Sequence, residues 1–218
     1  MSSAPPGASP AEAGFAMPAE WETHEATWLA WPHNRYDWPG KLNPVQWTFA
    51  EMVRKLAPGE MVHVLVNDAR WEQRAVSMLR RVGASVEHVR FFRIPTNRSW
   101  TRDYGPVFVR DALGDPAVVD FRFNAWAKYP NWHKDDRVAA EVARRLGLPL
   151  LPAEAQGRPF VLEGGAIDVN GEGMLLTTEE CLLHPSRQQR NPELDREQVT
   201  EALQRLLGAQ QVGWLGRG

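Results

Sequence analysis

Strand-forming runs and helical segments alternate along this chain, and this alternation constrains its fold most. In the first half, Met61–Val66 is a continuous run of strand-forming residues, typical of a strand buried on both faces, and Asp68 is placed to cap a helix that ends near Gly83. In the second half, two strand–strand–helix–strand patterns follow each other with an offset of about sixty residues. A coincidence of simple strand–helix alternation would give the same offset, so the repeat stays open at this point. Either interpretation predicts an α/β fold.

The remaining elements are predicted from apolar periodicity and from glycine and proline boundaries. Asp103 falls between two predicted strands, on a loop. Further strands are predicted over residues 27–31, 86–94, 107–109, 117–123, 148–151, 160–162, 166–169, 174–177 and 211–215. Further helices are predicted over residues 47–56, 135–146 and 193–207.

The composition of the chain limits the cellular locations and the classes of binding partner that we expect. A net charge of −2, with 25 basic residues interleaved among 27 acids, gives no electrostatic reason to expect nucleic acid or an anionic membrane. The first sixteen residues are rich in Ala, Pro, Ser and Gly and lack the regions of a signal peptide, so we expect a disordered tail over 1–16 and folding from residue 17 to 218. A single Cys excludes an internal disulfide framework, and a cytoplasmic location is the expectation.

Two acids stand out as candidates for chemistry. Asp103 follows a strand and precedes Gly105-Pro106, a place where loop acids often function, although capping of local backbone N–H groups is an alternative. Glu163 ends the apolar run 160–162 and lies beside Gly164-Gly165. A buried Glu is rare unless it is paired, and glycines permit close approach of a ligand, whereas a surface Glu in a hairpin turn is the alternative.

As a pair, the two acids suit a guanidinium group. That cation is planar and permanently charged, and it matches carboxylates in a bidentate manner. Two carboxylates on opposite sides neutralise it and leave its central carbon open to attack. Trp100, three residues before Asp103, is placed to stack on the face of the cation, although core packing explains a Trp equally well.

Other chemistry finds less support. Cys181 lies between two acids and two leucines, which disfavours a thiolate, so we interpret it as a structural residue, and nearby His184 has no evident orienting partner. The six His residues show no metal-ligand spacing, and no metal site is expected. Ten Trp residues would suit stacking on single-stranded nucleic acid, but no basic track accompanies them.

Several short motifs, in this order, resemble the agmatine deiminase family within the wider group of bacterial-type peptidyl-arginine deiminases. These motifs are short and are spread across nearly all of residues 17–218. They are Met17-Pro18-Ala19-Glu20-Trp21, Trp31-Pro32-His33-Asn34, Asp37-Trp38-Pro39-Gly40, Thr101-Arg102-Asp103-Tyr104-Gly105-Pro106, Phe123-Asn124-Ala125-Trp126, Leu162-Glu163-Gly164-Gly165 and 177–183.

The resemblance implies repeated ββαβ units of a pentein-type α/β propeller, with residues 17–218 as an N-terminal part that lacks the C-terminal units. It implies hydrolysis of a small guanidino substrate, agmatine giving N-carbamoylputrescine and ammonia, without metal or organic cofactor. Asp103 and Glu163 would hold the guanidinium, Trp100 would form a wall of the pocket, and Trp38 would line its entrance. The resemblance leaves room for a homo-oligomer.

The resemblance also implies a Gly-His-x-Asp segment and a late Cys nucleophile, and neither occurs within these 218 residues. We therefore expect this chain by itself to be inactive, because covalent catalysis requires the nucleophile. A non-catalytic protein that holds a guanidino ligand or a partner chain is the alternative from another functional class. Peptidyl-arginine and free arginine are the alternative substrates.

Overall fold

The computed structural model describes residues 8–184, 186 and 188–217, which divide into two compact units. The parallel-sheet unit comprises Thr23–Thr101 and His133–Val138. The repeat unit comprises the described residues of Met1–Glu22, Arg102–Trp132 and Ala139–Gly218. Each unit has its own sheets and its own buried residues.

In the parallel-sheet unit, three parallel strands form a sheet with two helices packed on it. The order is β1 (Ala26–Ala30), β2 (Met61–Val66) and β3 (Val89–Arg93), and the helices are α1 (Leu42–Leu56) and α2 (Ala69–Arg81). As predicted, Asp68 caps α2 and accepts a hydrogen bond of 3.0 Å from the Trp71 amide. Val62, Val64 and Val66 of β2 pack with buried residues of α1 and α2 in one core, and Leu65 is buried as well.

The repeat unit contains the remaining elements. Its strands are β4 (Val107–Arg110), β5 (Pro116–Asp120), β6 (Leu150–Pro152), β7 (Glu154–Ala155), β8 (Arg158–Pro159), β9 (Ile167–Val169), β10 (Met174–Thr178) and β11 (Gln211–Leu215). The helices that follow α2 in the chain are α3 (Thr101–Tyr104), α4 (Val138–Leu146), α5 (Glu179–Leu182) and α6 (Arg196–Leu207).

The internal repeat suggested by the sequence is present as two ββαβ units. In the first, β4 pairs antiparallel with β5, and β6 returns after α4 to pair parallel with β5. In the second, β9 pairs antiparallel with β10, and β11 returns after α6 to pair parallel with β10. The shared strand order shows that the offset of about sixty residues is structural.

The two ββαβ units share one hydrophobic core. Val109 and Val119 from the first unit lie in the same buried cluster as Leu175 and Leu203 from the second. A single ββαβ unit has too few apolar residues to close a core, so each depends on its neighbour.

The chain near its N-terminus differs from the expected disordered tail. Ala16 and Arg110 exchange two backbone hydrogen bonds of 2.9 Å, and the Ala11 amide donates to the Arg205 carbonyl. Phe15 packs against the shared core, which accounts for the order of residues 9–16. The part of the expected tail over residues 1–7 lies outside the described residues.

Some predicted boundaries also differ. The strand predicted over 86–94 begins as a short 3₁₀ helix at Val86–His88, and the one over 160–162 is reduced to a single bridge between Arg122 and Val161. Asp103 lies on the unpredicted helix α3 and not on a loop. Among the described helices, none combines the length and the apolar character needed to span a bilayer.

Candidate functional site

Asp103 is held on helix α3 by donors from two other segments of the repeat unit. Its half-buried carboxylate accepts hydrogen bonds from the Trp126 indole and from the Gly165 amide. The next residue, Tyr104, is buried and anchors the short helix. Asp103 is therefore fixed in position, with a carboxylate that retains further acceptor sites.

Glu163 follows the buried residue Leu162 and is itself almost wholly buried, with a relative exposure of 2%. It precedes the 3₁₀ turn Gly164–Ala166. The Arg190 Nε–H lies 3.0 Å from one carboxylate oxygen of Glu163 and 3.2 Å from the other. This burial and pairing exclude the alternative of a surface Glu in a hairpin turn.

The two glycines after Glu163 bring its segment against helix α3. A Cβ atom at Gly164 would lie 2.4 Å from the Arg102 carbonyl oxygen, and one at Gly165 would lie 2.2 Å from an Asp103 carboxylate oxygen. A side chain at Gly164 would displace the backbone of helix α3, and one at Gly165 would displace the Asp103 carboxylate. The Gly-Gly sequence therefore allows the segment that follows Glu163 to lie against helix α3 and the Asp103 carboxylate.

The electrostatics of the two acids are coupled. Burial raises the pKa of Asp103 above its ordinary value of 3.8, and hydrogen bonds from Trp126 and Gly165 oppose this rise. Burial likewise raises the pKa of Glu163 above its ordinary value of 4.5, and the charge of Asp103 raises it further. Arg190 lowers the pKa of both groups. A cation bound between two such acids stabilises the ionised form of both carboxylates.

Trp126 reaches Asp103 from a strained turn. Ala125, Trp126 and Ala127 all have positive φ angles, of 52°, 60° and 50°, a conformation that residues with side chains rarely adopt. The Asn124 side chain supports the turn by accepting a 2.8 Å hydrogen bond from the Ala127 amide. Strain of this kind persists where the surrounding structure compensates for it, and it accumulates at functional sites.

Two of these residues, Trp126 and Arg190, were not predicted from the sequence as site residues. Trp126 belongs to the Phe123–Trp126 motif, so the motif itself was the available signal. Arg190 lies 27 residues after Glu163 in a polar stretch, without any pattern that links the two. Only the folded chain shows that its side chain is buried against Glu163.

The two predicted substrate-binding tryptophans lie in the parallel-sheet unit. The ring centroids of Trp38 and Trp100 are 5.4 Å apart, with an angle of 36° between the ring planes. Trp100 is 42% exposed, and the buried indole N–H of Trp38 has no hydrogen-bond acceptor among the described residues. Their contact makes one aromatic surface, and their roles toward a ligand remain predictions.

Cys181 lies in the first turn of helix α5. Its amide donates to the Thr178 hydroxyl, and its side chain packs against the shared core. These contacts suit the structural role expected for it. The described part of the chain brings together no three His, Cys, Asp or Glu side chains that could hold a metal ion.

Repeated ββαβ units that carry the half-buried Asp103 and the buried Glu163 define the class, an α/β protein with two electrostatically coupled carboxylates. Residues 16–218 match the Porphyromonas-type peptidyl-arginine deiminase family. The chain belongs to this family.

Named relatives agree with this assignment. The agmatine deiminase of Pseudomonas aeruginosa (strain LESB58) is 37% identical over 221 residues, which cover 98% of this chain and 56% of the relative. The structure of an agmatine deiminase from Enterococcus faecalis superposes on this chain with a TM-score of 0.86 and 32% sequence identity. The match covers 97% of this chain and 56% of the Enterococcus faecalis chain. A C. jejuni agmatine deiminase with substrate bound matches at 28% identity and a TM-score of 0.77, covering 93% of this chain and 56% of its own.

The predicted fold class, a pentein-type α/β fold with repeated ββαβ units, is confirmed by the repeat and by these neighbours. The chain spans about half the length of the relatives that it matches.

Proposed function

We propose that this chain supplies the guanidinium-holding carboxylates of a guanidino-group hydrolase, with Asp103 and Glu163 in that role and agmatine as substrate. The reaction would convert agmatine and water to N-carbamoylputrescine and ammonia, within putrescine and polyamine metabolism. The observation that carries the proposal is the fit of Gly165, two residues after Glu163, against Asp103, together with the electrostatic coupling of the two partly desolvated acids. Membership of the deiminase family and relatives named agmatine deiminase support it.

The chemistry of the carboxylates follows from their charge. Both bind the positive ground state of the guanidinium group, orient it and leave the face of its carbon free. The family resemblance implies that a Cys thiolate attacks this carbon, that ammonia leaves, and that water activated by a His releases the product. Within residues 1–218 the proposal assigns no residue to those two roles.

Trp100 and Trp38 enter the proposal as the aromatic surface of the ligand site. A cation over a Trp ring gains roughly 0.5–2 kcal/mol. The proposal therefore includes a stacking contribution from Trp100 and a contribution from Trp38 at the entrance.

Binding tests the proposal on the chain as it exists. Titration calorimetry with agmatine should show binding, and Asp103→Asn and Glu163→Gln should each weaken it by about 1.5–3 kcal/mol, because each removes a charge-assisted hydrogen bond. Asp168→Asn is a matched control, since Asp168 is exposed on β9. Equal affinity for agmatine in the wild-type chain and in both site variants would refute the role of the two acids.

The catalytic part needs a second experiment. The coding DNA should be read through and past the codon for Gly218, and the encoded protein assayed for ammonia release from agmatine, arginine and an arginine peptide. Release from agmatine supports the proposed substrate, and release only from the peptide supports peptidyl-arginine instead. A protein that binds agmatine without releasing ammonia supports the alternative of a non-catalytic guanidino-ligand-binding protein.

A further inference from the structure

Arg190 is the buried cation beside the two acids, and its contacts fix it from two directions. Its Nε–H is shared between the two Glu163 oxygens at 3.0 and 3.2 Å, and an Nη1–H donates to the Gln188 carbonyl at 2.6 Å. The Arg190 side chain is only 7% exposed. Gln188 has a positive φ angle of 49°, which is a strained backbone conformation for a residue with a side chain. The strain therefore lies at the residue whose carbonyl accepts the hydrogen bond from Arg190.

Among the charged side chains that the structure describes around the two acids, the charges do not balance. Asp103 and Glu163, when ionised, carry two negative charges, and Arg190 offsets one of them. Arg102 also acts on Asp103, but it is half-exposed and forms its own ion pair with Glu20. The remaining negative charge is matched by one monovalent cation, which is the charge of a guanidinium group.

The hydrogen-bonding geometry leaves room for that cation. A carboxylate offers about four acceptor positions, and the single Arg190 Nε–H directed between both oxygens does not by itself use all of those on Glu163. Arg190 therefore binds Glu163 without using its full capacity. A buried ion pair of this kind adds little to stability, which suggests a role in the site itself.

We propose that Arg190 is a positioning residue, which orients Glu163 and offsets one negative charge so that Glu163 and Asp103 together receive the ligand guanidinium. This inference rests on the proposed function of the two acids. The charged groups that act on Glu163 are Arg190 and Asp103, and Arg102 acts in turn on Asp103. Without Arg190, the ionised carboxylates of Asp103 and Glu163 repel each other with less compensation by positive charge. One of the two acids is then expected to take up a proton.

A different role for Arg190 makes the opposite prediction. If its guanidinium occupied the place of the ligand, the chain would inhibit its own site, and removal of Arg190 would strengthen ligand binding. If Arg190 positions Glu163, removal weakens ligand binding, and the loss grows as the pH falls. The direction of the change in agmatine affinity therefore separates the two roles.

The experiment compares the wild-type chain with Arg190→Gln and Arg190→Lys. Carbon-13 NMR of labelled Glu side chains, with the Glu163 signal assigned by its absence in Glu163→Gln, measures the pKa of Glu163 without any ligand. We expect Arg190→Gln to raise this pKa. At a pH below the pKa of Glu163, agmatine binding should then weaken roughly tenfold for each unit by which the pKa rises. Arg190→Lys keeps the positive charge, so the pKa of Glu163 should stay near its wild-type value. The orientation of Glu163 should be less well defined, because Lys lacks the planar guanidinium group.

Arg158→Gln is the matched control, because it removes an exposed Arg–Glu pair from the repeat unit and should leave the pKa of Glu163 unchanged. An unchanged pKa of Glu163 in Arg190→Gln overturns the inference, as does tighter agmatine binding. If Arg190→Gln does not fold, Arg190→Lys provides the test. A pKa of Glu163 far above the wild-type value in Arg190→Lys also overturns the inference. If the wild-type chain binds no agmatine, the proposed function fails, while the pKa comparison still tests the contact between Arg190 and Glu163.

Discussion

Asp135 illustrates what a single buried acid contributes in the parallel-sheet unit. Its side chain is fully buried and accepts hydrogen bonds from the amides of Asn97 and Arg98, at 2.6 and 3.3 Å. The Arg98 guanidinium lies 3.8 Å from its other oxygen. Burial nevertheless raises the pKa of Asp135 to about 7, and the nearby charge of Asp37 adds to the rise.

This raised pKa predicts a pH-dependent stability. Below the unfolded pKa of 3.8 both states hold the proton, and the full stability is present. As the pH rises toward about 7, the unfolded chain releases its proton first, so stability is lost by up to about 4 kcal/mol. Asp135→Asn should abolish this slope in urea unfolding measured between about pH 4 and pH 8, while exposed Asp168→Asn should keep it. Parallel slopes in wild type and Asp135→Asn would contradict the prediction.

Single residues also show the limits of sequence reasoning. Asp103 and Glu163 were predicted because each lies next to an informative local pattern, a turn motif or a glycine pair. Arg190 has no such neighbours, and its contact with Glu163 depends on how a 27-residue segment folds back. A long-range contact of this kind leaves no local signal in one sequence.

At the scale of elements, the 3₁₀ turn Gly164–Ala166 lies so close to helix α3 that a Cβ atom at Gly164 or Gly165 would come within 2.4 Å of an atom of that helix. Gly165→Ala would place a methyl group 2.2 Å from the Asp103 carboxylate, which must then move and lose the Gly165 amide hydrogen bond. We expect agmatine affinity to fall by about 1–3 kcal/mol in titration calorimetry. Gly59→Ala is the control, since the nearest atom there is 3.7 Å away. Equal losses in both variants would point to a general effect of the added methyl group.

Elements with strong local signals were predicted well. Strand β2 and helix α2 match because an apolar run and an Asp cap mark them directly. Helix α3 was missed because four residues contain barely one turn, too short for any periodicity, and the following Gly105-Pro106 favoured a loop. The run 160–162 has strand-forming residues, but only Val161 pairs with another segment, and pairing cannot be inferred from composition.

At the scale of the whole molecule, the core of the repeat unit should unfold as one. Leu203 is completely buried on α6 within the cluster that both ββαβ units share. Leu203→Ala should cost about 2–5 kcal/mol in urea unfolding, because it removes buried methyl groups and leaves a cavity. Amide hydrogen exchange should then accelerate in β4 and β5 as well as in β10. Faster exchange confined to β9–β11 would show that the two ββαβ units unfold independently, and exposed Leu113→Ala should change neither measurement.

The α/β class and the repeat followed from the sequence because both rest on patterns that recur over many residues. The shared core of the two ββαβ units did not, since it depends on which apolar faces meet. The order of residues 9–16 was missed for a related reason, because composition suggested disorder while Phe15 supplied an anchor into that core.

The pairing of Ala16 with Arg110 has a practical consequence. The Ala16 segment meets the outer side of β4, an edge of its sheet, and occupies backbone groups there that would otherwise be free. An unprotected edge strand is a template for pairing with another chain. Protein trimmed to begin at Met17 would therefore expose this edge and favour aggregation, whereas a purification tag placed ahead of Ser9 leaves the pairing intact.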